Sequence, residues 1–532
     1  MNALAGTTTL IRFVLRRDRL RLSVWVLALV GTIAASVPAI DDMFTTDAER
    51  QARAALMDTP TGIVFGGPGY GLEDYQLGPM LVNELTMTML IALAVLNVLH
   101  VVRHTRAEEE SGRAELLRAA PVGHSAQPMA ALTTAVLVDL LIGASTFVSL
   151  VSFGLAVADS LAYGLGIGLA GMVFATIAAV CTQISEHART ASGTAFLVIG
   201  VVFMARVVGD IAEPGGNALS WLSPFAWVQQ ARPFDALEWW PLALYPAAAV
   251  VFFAAAHVLA GRRDLGAGLI ATRPGPARAG PLLRGVLALH LQQQRATVLA
   301  WSAGVFALTF AFGSLAPEVE SMVESNPDLA VLLGDDTEDL IGGFLGTIGL
   351  YALMGAGAFG ALSVLRARSE ENAGRAEMVL ATAVGRVRWL GSALTVAALA
   401  TALITALGGL GLGLGAALTL DDSTWVGRMT GAVLAGLPAA LAFGALVALL
   451  FGTVPRLIPF MWVWLGYSVF VTMLGDLLGM PDAAMNASAF EILPAPPAED
   501  AEAVAFLVYL AAVLVAGAVG LVGFGRRDLA TG

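Results

Sequence analysis

The chain has 532 residues, of which 57% are apolar and 13% charged; its mean hydropathy is +0.77 and its net charge −12. A soluble protein of this length has no interior large enough for so much apolar surface, so lipid is the solvent for most of the chain. A single cysteine, Cys181, excludes an internal disulfide, and 29 arginines with no lysine exclude a Walker A loop, whose lysine must reach the phosphates.

Five arginines (Arg12, Arg16, Arg17, Arg19, Arg21) precede the first apolar run. That run is full-length, and no cleavable signal peptide is evident. The segment Leu10–Leu22 mixes apolar and basic residues at helical spacing, as suits a helix lying in the membrane interface. Residues 284–296 hold the same place later in the chain. Plain flanking charge is the other reading of both.

A helix needs about 20 apolar residues to cross the hydrocarbon core. Twelve runs qualify: about 22–40, 80–102, 128–156, 161–184, 191–209, 241–260, 297–316, 343–365, 390–418, 429–452, 457–475 and 503–524. The expected fold is an all-α polytopic membrane protein of about twelve transmembrane helices. The ninth run contains Gly408-Gly-Leu-Gly-Leu-Gly-Leu-Gly415, small residues that let helices approach closely, and its length suggests a tilt or a break at the glycines. With the N-terminus inside, the inner segments carry 24 of the 29 arginines and 11 acidic residues. The outer segments and outer span ends carry 5 and 29, and Asp139 is left within a span. This positive-inside pattern places both termini in the cytoplasm.

One phrase occurs twice, 262 residues apart. Arg106-Ala-Glu-Glu-Glu-Ser-Gly-Arg-Ala-Glu115 runs on to Pro121-Val-Gly123, and Arg368-Ser-Glu-Glu-Asn-Ala-Gly-Arg-Ala-Glu377 runs on to Ala383-Val-Gly385. Each copy follows the second run of its half, at a cytoplasmic position. Residues 103–127 and 366–389 read as helical segments, with Gly123 and Gly385 where such helices would stop. Other places match as well: Arg19 and Trp25 with Arg295 and Trp301, Gly209-Asp210 with Gly475-Asp476, and Gly261-Arg-Arg-Asp-Leu265 with Gly525-Arg-Arg-Asp-Leu529. Six runs per half give two parallel repeats, residues 1–265 and 285–532, joined by a Pro/Gly/Arg linker at 266–284.

On these residues the layout resembles the permease of an ABC-2 type exporter, in the double-length polyketide-antibiotic (tetronasin-resistance-like) branch. The resemblance implies that the repeated phrase is a coupling helix docked into a cleft on a separate ABC ATP-binding subunit. The docking residues would be Glu109, Gly112, Arg113 and Glu115, with Glu371, Gly374, Arg375 and Glu377 in the second copy. It also implies two ATP-binding subunits per chain, ATP and Mg on that partner with no cofactor on this chain, and elbow helices before spans 1 and 7. Hydrophobic drugs, antibiotics or lipids would be the cargo, exported across the bacterial cell membrane. The second copy departs from the first at Asn372, where the first has Glu110, and at Ala383, where the first has Pro121.

Within the spans, Asp139 stands near the middle of span 3, Asn97 and His100 in the inner half of span 2, and Glu84 at its outer end. Ionisable groups there are costly and default to functional candidates. Glu84, Met87, Asn97 and Asp139 are the candidate substrate-path residues; Asp139 could instead bond a hydroxyl such as Thr133 or Thr134 in its own helix. The aromatics Trp221, Phe225, Trp227, Trp239 and Trp240 before span 6 read as an interfacial belt. The resemblance implies instead a re-entrant hairpin, with Phe490-Glu-Ile-Leu-Pro494 as its counterpart. No catalytic constellation and no metal-ligand set is expected, and the basic residues flank spans without suggesting nucleic acid. A proton-driven twelve-helix drug transporter is the rival reading, though its repeated loop is normally tight and glycine-led.

Overall fold

The computed structural model describes residues 3–58, 60–264, 266–270, 280, 283–317, 337–474, 480–492 and 503–528. Most of the linker at 266–284 and of the outer segment at 317–342 lies outside the described residues, as do Gly475-Asp476 and Leu493-Pro494. Among the described residues all regular structure is helical. The chain divides into two compact units, Met1–Pro274 and Gly275–Gly532.

Among the described residues, twelve helices are long and apolar enough to cross a membrane. In the first unit they are Arg19–Met43, Leu77–Glu110, Ala126–Ser152, Val157–Ile184, Ala188–Ala212 and Trp240–Ala260. The second unit holds Val286–Gly313, Ile341–Asn372, Arg386–Leu420, Thr424–Thr453, Pro455–Met473 and Ala503–Arg526. They are numbered here as spans 1 to 12. Span 4 is the hub of its unit, with 78% of its most apolar stretch buried, whereas span 12 buries only 11% of its own.

Small residues set the closest crossings. A Cβ on Gly143 of span 3 would meet the Gly164 carbonyl of span 4 at 2.4 Å, so only backbone fits there. The glycine run of span 9 divides its work between two neighbours. Gly411 and Gly415 lie against the Phe306 and Phe310 carbonyls of span 7, while Gly409 and Gly413 lie against Thr430 and Val426 of span 10. Span 9 is unbroken over its 35 residues, contrary to the suggested break, and Gly409, Gly411, Gly413 and Gly415 each pack against a neighbouring backbone. At 1.5 Å per residue it measures about 52 Å, more than the ~30 Å core, so it tilts or projects. Span 10 does break, at Gly436, where Pro438 opens the next helix without an N–H to offer.

The two elbows differ. Thr7–Arg17 is a separate helix that buries Leu10 and Val14 and sets Leu10 against Ala126 and Ala130 of span 3. Its equivalent continues without interruption into span 7 as Val286–Gly313. Asp18, at the first unit's joint, accepts from His104 at 2.9 Å and lies 3.3 Å from Arg103. Burial alone would raise its pKa, but the His104 hydrogen bond and the Arg103 and Arg21 charges hold it below the ordinary carboxylate value. The joint therefore stays ionised at neutral pH.

The segment between spans 5 and 6 contains both readings of its aromatics. Trp239 and Trp240 are about half exposed, as a belt requires, and Trp240 stacks on Trp221 at 4.9 Å. Phe225, Ala226 and Val228 are fully enclosed, so the turn Ser223–Ala231 folds back into the bundle. Ser488, Ala489 and Phe490 are likewise buried in the second unit, against Phe443.

A buried ion pair ties this end of the unit together. Arg206 and Asp210 of span 5 meet at 2.7 Å with both side chains 0% exposed, and Arg206 also donates to the Ile63 and Val64 carbonyls. Removing one partner strands the other charge, at a cost of about 3–5 kcal/mol. Asp210→Ala is therefore expected to lower the detergent melting temperature sharply; an unchanged melting curve would show that the pair carries no such weight.

Candidate functional site

The repeated phrase does not form one continuous helix in either unit. Its first part completes the second span of the unit, its glycine turns the chain, and its second part is a short helix. Gly112 has φ +74°, ψ −2° and Gly374 φ +71°, ψ −2°, left-handed values that a Cβ would resist. The short helices, Arg113–Arg118 and Arg375–Leu380, stop before Gly123 and Gly385. Gly385 instead leads into span 9. The glycine inside the phrase, not the one after it, sets the geometry.

The ion pairs are built twice as well. Arg375 meets Glu370 at 2.8 and 3.0 Å across the turn, and Arg113 lies 3.7 Å from Glu108. These pairs have exposed arginines and are worth only about 0–1 kcal/mol. Glu109 and Glu371 are more deeply placed. Arg263 grips Glu109 with two bonds of 2.8 and 2.9 Å, and Arg106 adds a third at 2.9 Å. Arg527 donates to Glu371 at 2.5 Å while its guanidinium lies over Phe451 and Phe524. Arg263 and Arg527 are the second arginines of the two Gly-Arg-Arg-Asp endings. The two repeated motifs are thus halves of one clamp, tying the phrase to the last span of its own unit.

That placement changes the roles expected of the eight docking residues. Glu109 is 11% and Glu371 3% exposed at the side chain, and both are engaged by arginines of their own unit. Arg113, Glu115, Arg375 and Glu377 are exposed, and Gly112 and Gly374 form the turns beside them. Two residues that the sequence reading missed share the exposed face: Leu116 is 75% and Met378 68% exposed. They lie 262 residues apart, the spacing of the phrase itself, and that was the available signal. Arg106, 0% exposed, caps span 4 by donating to the Thr182 carbonyl. Glu110 accepts from the Ala188 N–H at the start of span 5, a contact made at the position where the second copy has Asn372.

The candidate path residues are enclosed. Asp139 is 0%, Asn97 1% and Met87 3% exposed. Asn97 Nδ2 donates to Asp139 Oδ1 at 2.9 Å, so the aspartate's partner comes from span 2 and not from Thr133 or Thr134 of its own helix. A Cβ on Gly171 would overlap the Asp139 carboxylate, which leaves no open space beside it. Glu84 forms a two-bond pair with Arg53 of the outer segment. Thr134 belongs to His100, at 2.8 Å.

His100 and His104 stand four residues apart on one helix face, a His-x-x-x-His spacing that the sequence reading passed over. With Asp18 they bring three potential ligand atoms within 4.8 Å of one another, all buried. Each histidine already has a partner, Thr134 for His100 and Asp18 for His104, and Arg103 lies beside the Asp18 carboxylate. A dication there would face that arginine, so the cluster is better suited to stapling the elbow to span 2.

Fold and site together define a multi-pass, internally duplicated α-helical protein of the cell membrane. The family described as multidrug efflux system permease Rv1217c, C-terminal domain, matches residues 8–259 and 283–525, one stretch in each half. The multidrug efflux system permease protein Rv1217c of Mycobacterium tuberculosis is 35% identical over 531 residues, covering 98% of this chain and 95% of that protein. The chain belongs to this family of efflux permeases.

Proposed function

We propose that this chain is the membrane subunit of an ATP-driven ABC-2 type exporter of hydrophobic drugs, antibiotics or lipids. Separate ATP-binding subunits, two per chain, dock on the short helices Arg113–Arg118 and Arg375–Leu380 at the cytoplasmic face. The observation that carries this reading is the twofold construction of an exposed patch. Each copy has a left-handed glycine, an exposed arginine and glutamate, and one bare apolar side chain. An exposed Leu or Met on a charged helix loses free energy to water and gains it back in a partner's cleft. The clamp behind each patch joins it to span 6 or span 12, so force on the patch reaches the membrane through Glu109–Arg263 and Glu371–Arg527. The relative named as a multidrug efflux permease supports the cargo class.

The rival, proton-driven export, would depend on a protonatable group in the bundle, and Asp139, near the middle of span 3, is one candidate. Export from inside-out vesicles carrying the permease and its candidate ATP-binding subunit separates the two. Uptake is expected to require ATP and to persist in Asp139→Asn, whose amide keeps a partner in Asn97. Uptake driven by a pH gradient without nucleotide, and lost in that variant, would decide for the rival.

A further inference from the structure

The second unit contains a groove of about 620 Å³ between spans 8, 9, 10 and 12. Glycines thin its walls, among them Gly360, Gly391 and Gly517, and only small polar patches interrupt the apolar lining. Two polar side chains mark its ends. Arg388, in the first turn of span 9, is exposed and has no ion-pair partner among the described residues. Thr401, 1% exposed, closes the far end, with its Oγ1 packed toward Gly360 and not open to the groove. Arg388, Gly391, Thr395, Ala398 and Thr401 follow one another at helical spacing, so a single stripe of span 9 forms the floor. Over those 14 residues the stripe is about 20 Å long, enough for a chain that reaches across one leaflet of a ~30 Å core.

The first unit shows what closes such a groove. Between its spans 3, 4 and 6, the matching place, the cavity is about 400 Å³ and is headed by His124, Gln183 and Arg263. Counting from the Gly-Arg-Arg-Asp endings, Phe253 stands where span 12 has Gly517. Counting from the repeated phrase, Met129 stands where span 9 has Gly391. Side chains therefore occupy in one half the space that glycines leave open in the other. A Cβ added at Gly517 would meet nothing within 4 Å.

We propose that this groove binds an anionic acyl lipid drawn from the surrounding bilayer, with its chain along span 9 and its headgroup against Arg388. The unpaired cation selects the headgroup charge, and the glycine walls admit an aliphatic chain but give a bulky ring no extra contact. Span 12 is little buried within its unit, so the lipid enters sideways and need not cross water. The site depends only on the membrane-embedded fold. The ATP-binding partner can fail its own test without affecting it, and the reverse holds too.

The test uses the full chain in nanodiscs doped with phosphatidylglycerol or phosphatidylcholine that carries a photoactivatable, clickable acyl chain. Adducts are mapped to peptides by mass spectrometry. Phosphatidylglycerol is expected to label peptides of spans 9 and 12 roughly fivefold more than phosphatidylcholine, the preference one interfacial arginine confers. Arg388→Gln should remove that preference while keeping some labelling of both. Gly517→Phe, which copies the first unit's residue, should abolish labelling of both, with an unchanged melting curve as the control for folding. Equal labelling by the two probes in the unaltered protein, or labelling that persists in a stably folded Gly517→Phe, overturns the proposal.

Discussion

A permease carrying Leu116→Asp and Met378→Asp is expected to insert and fold normally yet fail to retain the ATP-binding subunit proposed to dock on it. Both side chains are already in water, so the free chain loses little; surface changes of this kind stay within about 0.5 kcal/mol. Docking is where the cost falls. An apolar anchor enclosed at the centre of an interface is worth about 2 kcal/mol or more, close to 30-fold in affinity for each helix. A charge in its place must also be desolvated. Affinity purification of the tagged permease, followed by quantification of the ATP-binding subunit, reads the effect directly. Full recovery with the double variant would remove these helices from the interface. The single variants, compared, would show whether the two sockets are equal, which the Asn372 and Ala383 departures leave open on sequence grounds.

The second large effect concerns the clamp. Arg527→Glu and Glu371→Arg are each expected to lower the thermal stability of the permease and its ATP-driven transport, because each leaves like charges facing one another in a site nearly closed to water. Breaking a buried pair costs about 3–5 kcal/mol. The exchanged double variant should recover a substantial part of both losses, since the pair is re-formed with its polarity reversed. Glu109→Arg should be harsher than Glu371→Arg, because it adds a third guanidinium to Arg106 and Arg263. A double-mutant cycle in the second unit, read by melting temperature and by transport rate, gives the coupling. Strict additivity of the two losses would mean that Glu371 and Arg527 do not act together, and that the clamp transmits nothing.

These two effects separate what the sequence shows from what it hides. The spans were legible because about 20 consecutive apolar residues can only be lipid-soluble helix, and the duplication because one phrase recurs at one spacing. The glycines of span 9 were legible as packing residues, although which neighbour each would face was not. The docking role of Glu109 and Glu371 is what the family resemblance of the repeated phrase implies, not something their own neighbourhood in the chain shows. Nothing near them in the chain shows that Arg263 and Arg527, about 155 positions onward, would claim them. The His100/His104 pair was legible by spacing and was overlooked. Its engagement by Thr134 and Asp18, on other helices, was not legible.

The sequence alone determined that this is a duplicated bundle of about twelve membrane-crossing helices with a recurring polar phrase in each half, since both facts are local: hydropathy acts residue by residue, and a repeat is a comparison of text. Only the tertiary structure decided which face of that phrase is spent inward and which is offered outward. Hydrogen bonds and ion pairs form between side chains brought together by folding. Whether a glutamate is a clamp or a contact depends on an arginine that the chain places beside it only after five spans have packed.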